Sequence, residues 1–180
     1  AALAALQAIE AGYQVALMAP TEILAEQHFI NFTRWFEPLG IEVAWLAGKL
    51  KGKARTAALA QIAGGAPMVV GTHALFQADV QFHNLALAII DEQHRFGVQQ
   101  RLALQEKGIN GRLYPHQLIM TATPIPRTLA MSAYADLDTS AIDELPPGRT
   151  PVNTVVMADN RRPEIITRVQ AACLEGRQAY

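Results

Sequence analysis

The sequence predicts an α/β fold, a doubly wound parallel sheet with helices on both faces, and three observations carry that expectation. Residues 13–18, 68–70 and 85–90 are short, mostly apolar runs without polar alternation, the pattern of strands buried on both faces. Segments of helical length, bounded by Thr, Gly and Pro, lie between them. Parallel neighbours need such crossovers, because a tight hairpin joins only antiparallel strands.

In chain order, residues 1–11 are alanine-rich and read as a helix that Gly12 stops. That helix opens with no Ser, Thr, Asp or Asn cap, so the chain is expected to be an excised segment that starts mid-helix. Residues 13–18 form the first strand, closed by Ala19 and Pro20, and Thr21 caps a helix running to about Phe36. A strand over 41–46, a basic loop over 48–53 and a helix through Ile62 follow, with Gly64 and Gly65 as the stop. After the strand at 68–70, the most apolar run of the chain, 85–90, ends at Asp91. A helix is expected over 96–107, a strand over 117–120 ending at Thr121, and a helix after Pro126 to about Ala135.

Residues 144–151 hold three prolines and a glycine, and proline removes a backbone donor and stops both helix and sheet. We therefore expect a first domain over 1–145, a linker at 146–151 and the start of a second domain over 152–180. That second piece reads as a strand at 152–157 and an amphipathic helix at 161–174.

Composition narrows the function classes. With 15 basic against 16 acidic residues, no overall positive field draws the chain to phosphate backbones, so any nucleic-acid contact must be local. The single cysteine, Cys173, excludes an internal disulfide framework. No apolar run reaches the roughly 18 residues of a membrane span, and no secretory leader opens the chain, which leads us to expect a soluble cytoplasmic protein.

Chemistry is expected at the carboxyl ends of the strands, where ligands of doubly wound sheets sit. Asp91 and Glu92 leave the end of the 85–90 strand side by side. In phosphoryl transfer one carboxylate holds Mg²⁺ on the phosphates and another orients and deprotonates the attacking water, and Asp91 and Glu92 suit those roles in that order. The same pair also suits a plain cap of the following helix. Pro20-Thr21-Glu22, Gly71-Thr72-His73 and Thr121-Ala122-Thr123-Pro124 likewise follow strands, so four polar strand ends should share one rim. Hydroxyls and amides at such a rim can hold phosphates, and equally can cap helices. His73, His94 and His116 raise a zinc reading, against which an imidazole after a strand more often packs through a hydrogen bond.

Taken together, in this order and spacing, these elements resemble superfamily 2 helicases. Ala19-Pro20-Thr21 looks like motif Ia, Asp91-Glu92-Gln93-His94 like motif II and Thr121-Ala122-Thr123 like motif III. The runs from Asp91 to Gly97 and from Thr121 to Leu129 are shared by two bacterial groups, RecG and the transcription-repair coupling factor. Residues 19–28, Gln93 with Val98-Gln99-Gln100-Arg101, and residues 142–151 favour the RecG group.

This resemblance implies a P-loop NTPase (RecA-like) fold, a first motor domain and the start of a second. It also implies an ATP-dependent helicase or translocase that remodels branched DNA, stalled forks and Holliday junctions, in recombination and repair. The cofactors implied are ATP and Mg²⁺, the partner is branched DNA with no membrane, and the whole protein is expected to be monomeric and cytoplasmic in bacteria. By position, Asp91 would coordinate Mg²⁺ and Glu92 would activate water. His94, Thr121 and Thr123 would couple nucleotide state to DNA, while Pro20, Thr21, Thr72 and His73 would lie toward it. A fragment of the transcription-repair coupling factor, or a nucleic-acid-binding module without hydrolysis, are the alternatives.

The chain departs from the family pattern at one decisive place. A phosphate loop needs G-x-x-x-x-G-K-[ST], and no such run occurs. Gly48-Lys49-Leu50-Lys51-Gly52-Lys53-Ala54 has three residues between its glycines and alanine where the Mg²⁺ hydroxyl belongs. The segment is therefore expected to be inactive by itself, with weak nucleotide binding or none. Lys49, Lys51, Lys53 and Arg55 read either as a solvated loop or as a local contact to DNA phosphates.

Overall fold

The computed structural model describes residues 1–92, 106–108, 114–122 and 138–179. It divides into two compact units, Ala1–Ala130 and Met131–Tyr180.

In the first unit, helix α1 (Ala2–Glu10) leads into strand β1 (Gln14–Met18) and helix α2 (Glu22–Phe36). Strand β2 (Val43–Leu46), helix α3 (Gly52–Ala63), strand β3 (Met68–Gly71), strand β4 (Leu85–Asp91) and strand β5 (His116–Met120) complete its α-helices and strands among the described residues, with short 3₁₀ turns at Glu37–Leu39 and His73–Phe76. All the pairings are parallel and the order is β2-β3-β1-β4-β5, so the expected doubly wound α/β sheet is present.

The apolar runs are continuous because side chains leave alternately from both faces and both faces are covered. Val15, Leu17, Met68, Val70, Leu87 and Ile89 pack with Phe32 and Phe36 of α2 and Ala5 of α1. Their neighbours Met18, Val69 and Ile90 face the other way, against Ala58 and Ile62 of α3. Each fully buried Leu, Ile or Phe contributes roughly 1.5–3 kcal/mol, more than the at most about 0.7 kcal/mol per residue by which ordinary residues differ in helix propensity. On α2 the rings of Phe32 and Phe36 meet edge to face, with centroids 5.3 Å apart.

Several boundaries differ from the sequence reading. The first strand starts at Gln14, because Tyr13 is half-exposed while Gln14 is buried. The second starts at Val43, and α3 begins at Gly52, inside the expected basic loop. The helices expected over 96–107 and after Pro126 fall largely or wholly outside the described residues.

The second unit is described over residues 138–179. Its one α-helix among those residues is α4 (Arg162–Leu174), entered through a short 3₁₀ turn at Asp159–Arg161. Arg161 holds Glu164 through two hydrogen bonds of 3.0 and 2.7 Å across the first turn. The strand expected over 152–157 is not formed. A strand is completed by a neighbour that accepts and donates its ladder hydrogen bonds, and no described segment pairs with these residues, so apolar character alone does not make one.

Candidate functional site

The parallel register brings the carboxyl ends of the strands level. Met18 lies opposite Gly71 on one side and Ile90 on the other, Leu46 lies opposite Gly71, and Asp91 opposite Met120. Pro20-Thr21, Thr72-His73, Asp91-Glu92 and Thr121 therefore emerge on one rim of one sheet, as expected from their positions after strands.

Crowding at Gly71 fixes part of that rim. Its carbonyl accepts from the Ala19 amide at 3.0 Å, and a Cβ on it would run into the Leu46 carbonyl oxygen. The absence of a side chain lets β1, β2 and β3 close together before their loops diverge.

Asp91 ends β4 with its carboxylate one-fifth exposed, and its Oδ2 lies 2.7 Å from Nε2 of His28 on α2. An ionised carboxylate can only accept, so the imidazole donates Nε2–H. Sequence reasoning did not single out His28: it sits 63 residues away in an amphipathic helix, and nothing local marks its partner. Glu92 follows at φ +51°, the left-handed region that side chains with a Cβ rarely enter. Such a position costs about 1 kcal/mol or more, and strain of this kind collects at functional sites.

Thr21 is exposed and caps α2, its hydroxyl accepting from the Leu24 amide at 3.3 Å. Pro20 is half-buried beside it. Thr72 is buried, and its hydroxyl accepts from the Ala74 amide at 3.5 Å, starting the 3₁₀ turn His73–Phe76. His73 is exposed on that turn, with its ring near Gly48. Thr121 is half-buried directly after β5. His94 and Thr123 lie outside the described residues. His116 opens β5 at the opposite end of the sheet from His73, so those two imidazoles do not share a site.

The basic segment has local work. Arg55 binds Asp79 at 2.8 and 3.1 Å and Gln77 at 2.6 Å, tying α3 to the chain that descends toward β4. That hydrogen bond holds the Asp79 carboxyl below its ordinary value. Lys49 pairs with Glu22 in the first turn of α2, and its ammonium is raised by the hydrogen bond to that carboxylate. Lys107 donates to the carbonyls of Gln77 and Val80 at 2.8 and 2.6 Å, while partial burial lowers its pKa.

The residues fit one half of a magnesium–nucleotide site. Among the described residues no group of three or more His, Cys, Asp or Glu forms a metal cage. Magnesium bound with a nucleotide needs only one or two carboxylates, the rest of its shell being phosphate and water, and Asp91 is a partly exposed carboxylate of the kind such a site uses. The cradle of amides and the lysine for the phosphates are not in this sequence.

The family model for DEAD/DEAH box helicases matches residues 1–132. Two curated relatives, the ATP-dependent DNA helicases RecG of Haemophilus influenzae (strain Rd) and Escherichia coli (strain K12), are each 72% identical over the whole chain. The chain spans 26% of the length of either relative. A solved structure of RecG bound to a three-way DNA junction superposes with a TM-score of 0.81 and 41% identity, over 97% of this chain and 23% of that one. Among the described residues no helix is long and apolar enough to cross a membrane.

Proposed function

The chain belongs to the DEAD/DEAH box helicase family, and from that premise we propose that it is a motor segment of a RecG-type helicase that couples ATP hydrolysis to remodelling of branched DNA. The observation that carries the reading is the pair Asp91-Glu92 at the end of β4, on one rim with Pro20-Thr21, Thr72-His73 and Thr121. The 72% identity to RecG helicases supports that group over the transcription-repair coupling factor.

In this reading, Asp91 would hold the magnesium ion, and Glu92 would take a proton from the water that attacks the γ-phosphorus as the bond to the bridging oxygen breaks and ADP leaves. Magnesium bound with ATP would supply neutralisation of phosphate charge there. The exposed Thr21 and His73, with Pro20, meet the DNA backbone, and Thr72 holds the turn that presents His73. His94, Thr121 and Thr123 couple nucleotide state to that contact. Residues 1–145 belong to the first motor domain, 146–151 to a linker and 152–180 to the second. The whole protein acts as a monomer in the bacterial cytoplasm.

Phosphoryl transfer depends on positioning and charge stabilisation, so a chain without the phosphate cradle should bind ATP weakly and turn none over. The test is ATP hydrolysis stimulated by forked DNA, measured on the full-length protein, on its Glu92→Gln variant and on these 180 residues alone. Turnover only by the unaltered full-length protein is expected. Hydrolysis by the 180 residues alone, or wild-type turnover by Glu92→Gln, would overturn the reading.

A further inference from the structure

The reading above leaves one close contact at the rim unassigned, the 2.7 Å hydrogen bond from His28 Nε2 to Asp91 Oδ2. His28 belongs to the second turn of α2, whose first turn is anchored by Thr21 and whose last turn is buried through Phe32 and Phe36. Helix α2 is thus fixed at both ends, by a cap at the rim and by aromatic packing on the sheet. A side chain projecting from such an element is held in place by its scaffold, unlike one on a loop. Asp91 is held as firmly, because β4 pairs with β1 on one side and β5 on the other.

The contact is half-shielded, with side-chain exposures of 25% for His28 and 20% for Asp91. A carboxylate there can turn about its side-chain torsions unless something fixes it, and a single donor on one oxygen does so. With Oδ2 held by the imidazole, the other oxygen, Oδ1, remains to accept a cation or its water. Ligating carboxylates are commonly held by a further hydrogen bond of this kind, and losing it typically costs 10–100-fold in metal affinity.

We propose that His28 is a positioning residue for the magnesium–nucleotide site, donating Nε2–H to Asp91 Oδ2 and fixing the carboxylate that receives the cation. The proposal rests on the assignment of Asp91 as the metal ligand. It makes the helix that follows the Pro20-Thr21 end of β1 a direct support of the acidic pair, so one rigid element carries both a DNA-facing turn and the orientation of the metal ligand.

The test compares His28→Leu, which keeps bulk and removes the donor, with His28→Gln, whose amide nitrogen can replace Nε2. Both are made in the full-length protein and read by Mn²⁺ binding in the presence of a non-hydrolysable ATP analogue, using the electron-paramagnetic-resonance signal of free Mn²⁺. The Mn²⁺ Kd should rise about tenfold in His28→Leu and stay within about threefold of wild type in His28→Gln. In an Asp91→Asn background the His28→Leu substitution should cause no further loss. Wild-type affinity in His28→Leu would overturn the proposal, and so would equal losses in both variants, which would make the role one of packing. If His28→Leu does not fold, His28→Asn, whose amide is too short to reach, takes its place with the same expectation. Failure of the underlying assignment shows separately, as unchanged Mn²⁺ binding in Asp91→Asn alone.

Discussion

The two ends of the sheet use polar side chains in opposite ways. At the amino end, Gln14 is buried and fully engaged: its amide donates to the carbonyls of Ile62 and Ala66 at 2.9 and 3.0 Å, and its oxygen accepts from the amides of His83 and Asn84 at 2.7 and 3.1 Å. Asn84 adds a hydrogen bond to the Gly12 carbonyl at 2.7 Å. At the carboxyl end, Asp91 and His28 keep a fifth to a quarter of their surface open, and Glu92 sits in a strained backbone region. Polar groups at the first end satisfy the backbone of loops that would otherwise be buried unpaired. Those at the second end stay in contact with solvent, where a ligand can reach them.

Substituting each end should separate function from stability. The largest effect is expected for Glu92→Gln, which should lower ATP turnover of the full-length protein about 10³-fold, roughly 4 kcal/mol of barrier, with little change in melting temperature. A matching fall in thermal stability would place Glu92 with the structural polar groups and erase the contrast. Gln14→Leu should do the reverse. It removes four hydrogen bonds and leaves the Ala66 carbonyl and the His83 and Asn84 amides without the side chain that satisfies them, so urea unfolding should show a loss of about 3 kcal/mol, while ATP turnover per folded molecule stays at the wild-type level.

Thr21 belongs to both categories, as an exposed rim residue and as a helix cap. Thr21→Ala should cost about 1 kcal/mol in unfolding, and DNA affinity should fall further than Thr21→Ser, which keeps the cap hydroxyl. Equal DNA affinity in the two variants would confine Thr21 to capping. The smallest effect is expected at Asp79, in the connection that leads from β3 to β4. Arg55 holds its folded-state value below the ordinary one near 3.8. The stabilisation from that pair is therefore present above the unfolded value and lost as pH falls through the lower folded value. Asp79→Asn should lower stability slightly across the neutral region, flatten the acid limb below about pH 4 and leave the most acidic end unchanged.

The fold was legible because the signal is local. Runs such as Leu85-Ala86-Leu87-Ala88-Ile89-Ile90 cannot be solvated on either face, and Gly and Pro mark their limits, so five parallel strands and their rim follow from pattern alone. The adjacency of Asp91 and Glu92 to a buried strand is likewise a matter of chain order. Where local pattern lacked its partner it misled: Val152-Asn153-Thr154-Val155-Val156-Met157 looks like a strand but has no described neighbour to complete its ladder.

By itself the sequence determined the α/β class, the order of apolar strands, the absence of a phosphate loop and the placement of Asp91, Glu92, Thr21 and His73 after strands. Only the tertiary structure decided that His28 meets Asp91 and that Arg55 is committed to Asp79. It alone showed that Gln14, read as one more member of an apolar run, ties four backbone groups together. The reason is range. Periodicity and capping act within one or two turns of chain, whereas these contacts join residues 24 to 70 positions apart and exist only once the sheet has brought the segments together.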